Sequence, residues 1–389
     1  MSFSFSERVK RLPPYLFKQL EDTVAALKSR GVDLISFGVG DPDLPPPEAY
    51  LENLKREAAD PSNHNYSFSK GESEFRRSVA EWYKKRFGVD LNPDTEVTAL
   101  IGSKEGLANI TRAFINDGDK VLVPDPAYPV YRNGATILSD GIPVALPLLE
   151  ENAFKPRLEE ISKEEAKLVY LNYPNNPTAA VVDETFLRSL VEVAFEKDLI
   201  ICYDNAYSEI SFDGYKAPSI LQVKDAKEVA VEFHSCSKTF NVTADRIGFA
   251  VGNEKLISGL VEVKSQIDSG PPPFTQKAAA IALREYWTRK YQEPLRRSLR
   301  IYAERRDILV EGLNQLGLSC VRPKATFYVW AKCPGRSIDF AAKLLEAGVV
   351  VTPGAGFGQY GEGYIRLALT IGKERIQEAL RRIESTVKH

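Results

Sequence analysis

Between residues 97 and 233 the chain alternates short apolar runs with segments of helical period. No other feature restricts its fold as strongly. Apolar runs stand at 97–101, 120–123, 167–171, 199–203 and 229–233, with helix-period segments at 104–114 and 186–195. Short apolar strands separated by helices pair in parallel and are covered on both faces. The expected fold class is therefore α/β, with a large domain built on a mostly parallel sheet covered by helices. Ser103, Tyr128, Asn176, Asp204 and Lys238 each lie just beyond the end of one of these strands. Ligands bind at that edge of an open parallel sheet, so loops from five separate places converge on one expected site.

The last part of the chain has a different pattern. A long helical stretch at about 285–316 carries Arg296, Arg300, Glu304 and Asp307; strand-like runs follow at 326–330 and 364–369, with helices near 337–346 and 373–387. This predicts a second, smaller α+β domain, in keeping with a length of 389 residues. Arg296-Arg297 and Arg305-Arg306 read as a solvated helix face. A formal charge of -2 gives no electrostatic case for nucleic acid or an anionic membrane, and neither is expected as a partner. No apolar run approaches a membrane span, and the first ten residues lack the apolar core of a signal peptide. Cys202, Cys236, Cys320 and Cys333 form no Cys-x-x-Cys pair and have no accompanying histidine cluster. That disfavours a zinc site or a disulfide framework and predicts a reducing, cytoplasmic setting.

The sharpest chemical signal is Lys238, in Ser235-Cys236-Ser237-Lys238-Thr239-Phe240-Asn241. Arg246 follows eight residues later, and Asp204 precedes Tyr207 by three. A lysine, a carboxylate, a phenol and a serine–arginine pair suited to a phosphate suggest pyridoxal phosphate. The lysine can hold the aldehyde as a Schiff base, and the carboxylate can keep the pyridine nitrogen protonated. Taken singly, each residue has a plainer reading. Lysines are mostly exposed, and an aspartate after a strand is usually a turn residue.

With Asn175-Asn176-Pro177-Thr178, Asp204-x-x-Tyr207 and the trailing arginine in order, the chain resembles fold-type I aminotransferases of class I/II over nearly its whole length. Gly38-Val39-Gly40-Asp41-Pro42-Asp43, Gly102-Ser103-Lys104-Glu105-Gly106, Leu12-Pro13-Pro14-Tyr15-Leu16-Phe17 and Asp204-Asn205-Ala206-Tyr207-Ser208-Glu209 resemble the LL-diaminopimelate aminotransferase branch. The resemblance implies that Lys238 holds the cofactor and then moves a proton at the substrate α-carbon. It places Asp204 at the ring nitrogen, with Tyr207 and Asn176 at the ring oxygen. Ser103, Lys104, Ser235 and Arg246 would bind the phosphate, and Tyr128 would stack on the ring. Tyr66 would reach a neighbouring subunit's phosphate, which implies a homodimer with shared sites. Arg366 would fork onto the substrate α-carboxylate, near Gly40, Asn176 and Tyr15. The substrates implied are an L-amino acid and a 2-oxo acid, with glutamate and 2-oxoglutarate as one pair. Residues 1–12 would be an arm, 13–46 part of the smaller domain, 47–284 the large domain, and 285–389 the long helix and the rest of the smaller domain.

Two features depart from the family pattern. Ala244 and Asp245 precede Arg246 where a small glycine is usual two residues before it, and the acid could weaken the arginine's charge. The stretch 269–274 has no arginine to read a distal carboxylate, which leaves Lys104 as a candidate; Ser69 stands where one group of the branch has a glutamate. Aspartate, alanine and aromatic amino acids therefore stay open as alternative donors. Ser235-x-x-Lys238 also fits a serine acyl-transferase, but the accompanying Ser-Asp-Asn and Lys-Thr-Gly strings are missing. Gly354-Ala355-Gly356-Phe357-Gly358 could suggest a nicotinamide site, yet a strand-like run follows where a helix is required. A non-catalytic binding or regulatory protein on the same fold is the remaining alternative.

Overall fold

The computed structural model describes residues 3–14 and 16–388. Among these residues, β1 is Ile35–Ser36 and seven further strands make one sheet. They are β2 (Val97–Leu100), β3 (Lys120–Asp125), β4 (Ile142–Pro147), β5 (Leu168–Asn172), β6 (Ile200–Asp204), β7 (Ala230–Ser235) and β8 (Gly248–Gly252). Their order is β2-β8-β7-β6-β5-β3-β4. Only β8 runs against its neighbours; the remaining pairings are parallel. β4 and β8 lie outside the strands expected from sequence. β4 holds Pro143 and Pro147, tolerable because it stands at the rim of the sheet. β8 begins and ends on glycine, which masks its strand pattern.

The apolar runs are buried from both sides. Helices Ser73–Phe87, Glu184–Lys197 and Pro273–Arg284 bring Trp82, Leu187 and Leu283 to one face. Helices Ser103–Phe114 and Glu254–Ser265 bring Leu107, Ile110 and Leu260 to the other. Along β5, Val169 and Leu171 join the first core, and Leu168 and Tyr170 the second. That is the two-residue alternation of a strand. Each large apolar side chain withdrawn from water contributes on the order of 1.5–3 kcal/mol.

β9 (Tyr328–Lys332), β10 (Val349–Val350), β11 (Thr352–Pro353) and β12 (Tyr364–Ala368) belong to the last part of the chain. β11, β12 and β9 form an antiparallel sheet, while β10 pairs in parallel with β1, so the two ends of the chain share a sheet. A separate core joins Ile35 and Phe37 to Leu309, Phe327, Leu344 and Ile376. Ala206, Tyr207, Ile210 and Phe212, which follow β6, also belong to it. The loop leaving Asp204 therefore runs from the large sheet into the second core.

Three local expectations need correction. The strand expected at 326–330 begins at Tyr328, because Thr326 has φ 67°, a left-handed conformation that a β-branched residue cannot carry into a strand. The long helix is Arg289–Gln315, set apart from Pro273–Arg284 by a short break. Arg305 and Arg306 are not on a solvated face: their exposures are 6% and 0%. Arg305 grips Asp43 with two hydrogen bonds of 2.8 and 2.9 Å. Arg306 donates to Asp213, to Asp307 and to the Pro323 carbonyl. Burial of an arginine requires such partners.

Candidate active site

β5 and β6 end side by side, with Asn172 in register with Asp204. The Asn172 amide donates to the Asp204 carbonyl at 2.8 Å, and its side-chain oxygen accepts from the Asn176 N–H at 2.8 Å. The turn carrying Asn176 is thereby tied to the strand end carrying Asp204. The Asp204 carboxylate accepts from the Tyr131 hydroxyl at 2.7 Å and from the Ala206 N–H at 3.2 Å. Burial nevertheless pushes its carboxyl up to about 6, against those two donors. A cation beside it would reverse that shift.

Lys238 extends from the short helix Cys236–Thr239 at the end of β7, and its Nζ donates to the Gly40 carbonyl at 3.4 Å. Desolvation lowers its ammonium to about 8; Asp41 opposes the shift, and the charges of Arg246 and Arg366 add to it. Gly40 comes from the segment after β1. A side chain there would lie 2.0 Å from the Tyr328 hydroxyl oxygen, so glycine is required for this approach. Tyr207 and Tyr328 share a hydrogen bond of 3.2 Å.

Arg366 lies on β12 and is 1% exposed. It donates to the Asn176 side-chain oxygen and to the Gly38 carbonyl, each at 2.8 Å. Its guanidinium lies over the rings of Tyr328 at 4.3 Å and Phe357 at 4.8 Å. Neutral oxygens and aromatic faces hold the group in place, and burial lowers its pKa.

Opposite stands a cradle for an anion. Ser103 opens helix Ser103–Phe114 behind Gly102, whose φ is 75°. A Cβ on Gly102 would lie 2.4 Å from the Arg246 Nη2. Arg246 is anchored by donating to the carbonyls of Thr243 and Ile101 at 2.9 and 3.1 Å. Ser235 closes β7 beside it, and the Ser237 hydroxyl is buried with no hydrogen-bond partner among the described residues. Asp245 does not turn toward Arg246 in the way its sequence position suggested. Its carboxylate accepts from the Tyr50 hydroxyl at 2.7 Å.

These groups line one cleft of about 350 Å³, within the range of small-molecule sites. Tyr128 and Lys104 stand at its wall, with the Lys104 ammonium 5.8 Å from the Tyr128 ring centre. Tyr66 is not in the cleft and is 92% exposed. Tyr15 lies outside the described residues. Sequence reasoning missed Tyr131, Asn172 and Tyr328, all of which line the cleft. Tyr131 follows Tyr128 by three residues, and Asn172 ends its strand as Asp204 does; those were the available signals.

Residues 32–383 match the model of the family described as aminotransferase class I and II. The chain belongs to this family. The LL-diaminopimelate aminotransferase of Moorella thermoacetica is 50% identical over 384 residues, covering 97% of each chain. That of Aquifex aeolicus is 49% identical over 389 residues, covering 98% of this chain and 99% of its own. The structure of Thermus thermophilus aspartate aminotransferase with maleate superposes with a TM-score of 0.92 at 30% identity, covering 99% of this chain and 100% of the other. This aminotransferase is thus a pyridoxal-phosphate-dependent transferase of fold type I. The cleft fits that cofactor. It offers a partly buried amine of lowered basicity, a buried carboxylate that a cation would relieve, and a glycine-backed cradle with an arginine and a hydroxyl that has no partner among the described residues. Bound there, the cofactor supplies an electron sink for the substrate α-carbon.

Proposed function

We propose that this aminotransferase moves the amino group between LL-diaminopimelate and a 2-oxo acid, with glutamate and 2-oxoglutarate as the other pair. The observation that carries this reading is near-full-length identity of about half to relatives of that name. The geometry agrees with it. Arg366 is held rigidly by Asn176 and Gly38, which suits one planar α-carboxylate common to every substrate. Lys104 carries its ammonium on a long aliphatic stem at the wall of the cleft, which suits distal groups of varying reach.

In this reading Lys238 binds the cofactor and afterwards takes and returns the proton at the substrate α-carbon. Its lowered basicity keeps part of the amine neutral near pH 8. Asp204, oriented by Tyr131, would serve the ring nitrogen, and Tyr207 and Asn176 the ring oxygen. Ser103, Lys104, Ser235 and Arg246 would hold the phosphate, with Tyr128 against the ring. Gly40 brings its backbone to the substrate.

The active unit is a homodimer in which Tyr66 completes the partner's site. Tyr66, Phe68 and Ile267 are exposed by 92%, 78% and 54%. Their loops touch through the Ser69 hydroxyl and the Asp268 carbonyl. An aromatic and apolar cluster of this kind suits a covered surface. Residues 13–46 and 285–389 form the smaller domain and 47–284 the large one. Four free cysteines and no helix among the described residues long and apolar enough to cross a membrane accord with a cytoplasmic enzyme.

A donor panel tests the substrate. With 2-oxoglutarate as acceptor, LL-diaminopimelate should show a kcat/KM at least about tenfold above aspartate, alanine or phenylalanine, as one additional good charged contact implies. A preference for any of those three donors would refute the assignment.

A further inference from the structure

The run Gly354-Ala355-Gly356-Phe357-Gly358 looks like an anion-binding turn, yet it leads into β12, and apart from the packing of Phe357 on Arg366 it has no part in the roles above. Its anion is internal. We propose that Asp125 and the loop 354–361 form a latch between the large sheet and β12, and that Asp125 is thereby a positioning residue for substrate carboxylate binding. The proposal rests on the reading of Arg366 as the α-carboxylate fork.

Asp125 is the last residue of β3. One carboxylate oxygen accepts from the Gln359 N–H at 3.1 Å and the other from the Tyr360 N–H at 3.0 Å. Two successive backbone donors on one carboxylate make an anion nest. Gly358 has φ 140°, and a Cβ there would lie 2.0 Å from the Asp125 Oδ1. Only glycine lets the carboxylate come so close. A second tie runs the same way, from the Ala127 N–H to the Phe357 carbonyl at 2.9 Å. Phe357 is 5% exposed and packs on the Arg366 guanidinium at 4.8 Å. Tyr128 is the residue after Ala127. The stretch 125–128 thus both holds the loop behind Arg366 and supplies a wall of the cleft. Without the Asp125 contacts, the loop keeps the Ala127 tie alone, Phe357 is held less firmly, and the guanidinium gains freedom that substrate binding must remove.

Steady-state kinetics of Asp125→Asn, Asp125→Ala, Gly358→Ala and Asp125→Ala/Gly358→Ala test this, with Arg366→Lys alongside. Asp125→Ala and Gly358→Ala should each raise KM for donor and acceptor by about tenfold, with a smaller change in kcat. Asp125→Asn, which keeps one acceptor, should fall between these and the unaltered enzyme. The double variant should be no worse than Asp125→Ala, because both changes break the same contact. Cofactor affinity, read by absorbance titration of stripped enzyme, should not change. If the alanine variants do not fold, the near-isosteric Asp125→Asn carries the test through raised KM with cofactor affinity kept. An unaltered KM in Asp125→Ala, KM increases that multiply in the double variant, or cofactor loss matching the KM change would each overturn the latch. Arg366→Lys separates the two readings. If it raises KM for all donors while Asp125→Ala does not, the latch alone fails. If it leaves KM unchanged, the fork reading fails and the latch falls with it.

Discussion

Lys238 and Asp204 are shifted toward neutrality by the same cause. Burial lowers the ammonium to about 8 and raises the carboxyl to about 6. A prediction follows for cofactor capture, which requires the neutral amine. Below pH 8 most Lys238 is protonated, so the capture rate of stripped enzyme should rise about tenfold per pH unit and level off above 8. Mixing stripped enzyme with pyridoxal phosphate at a series of pH values, followed by absorbance, measures it. A rate that climbs steadily through about pH 10, as an ordinary lysine would give, would count against the role proposed for Lys238. Much of the cleft was legible residue by residue. Lys238, Asp204, Asn176 and Arg366 sit in compact motifs whose residue types carry their chemistry. Tyr131 and Tyr328 were not legible, because an aromatic side chain next to a strand reads equally well as core.

At the level of elements, the long helix Arg289–Gln315 shows how a charge pattern can mislead. Arg296 and Arg297 are exposed as the pattern suggests, but Arg306 is fully buried one face further round. It binds Asp213 at 2.7 Å and the Pro323 carbonyl at 2.9 Å, and its guanidinium lies 4.8 Å from the Phe212 ring centre. Helical period marks which residues share a face, and gives no information on whether another segment covers it. Arg306→Met should cost about 1.5–3 kcal/mol, since Asp213 is half-exposed and regains water when its partner is lost. Arg296→Met should stay within about 0.5 kcal/mol of the unaltered protein. Urea denaturation of both variants gives the comparison, and equal, negligible effects would remove the structural role from Arg306. Arg305 does related work by fastening Asp43, in the segment after Gly40, to the same helix.

At the scale of the whole molecule, the cleft forms where the two cores meet. Gly40 and Arg366 come from the segments around β1 and β12, while Asp204, Lys238 and Arg246 come from the large sheet. Tyr66 lies outside this cleft, which agrees with a role in a partner's site. Under that proposal, mixing Tyr66→Phe subunits with Lys238→Ala subunits should create hybrids with one unimpaired site and recover activity. Confirmed hybrids without recovery would contradict shared sites. The sequence by itself determined the layered α/β architecture, the edge at which the site lies, and the residue types that meet there. Those properties follow from local periodicity and from motifs a few residues long, both complete within a short stretch of chain. Tertiary structure alone decided that Asp245 turns to Tyr50, that Tyr131 orients Asp204, that Arg306 is buried, and that Asp125 fills the turn at Gly358. Each of these depends on a partner distant in sequence or on coverage by another element, and that information appears only when the chain is packed.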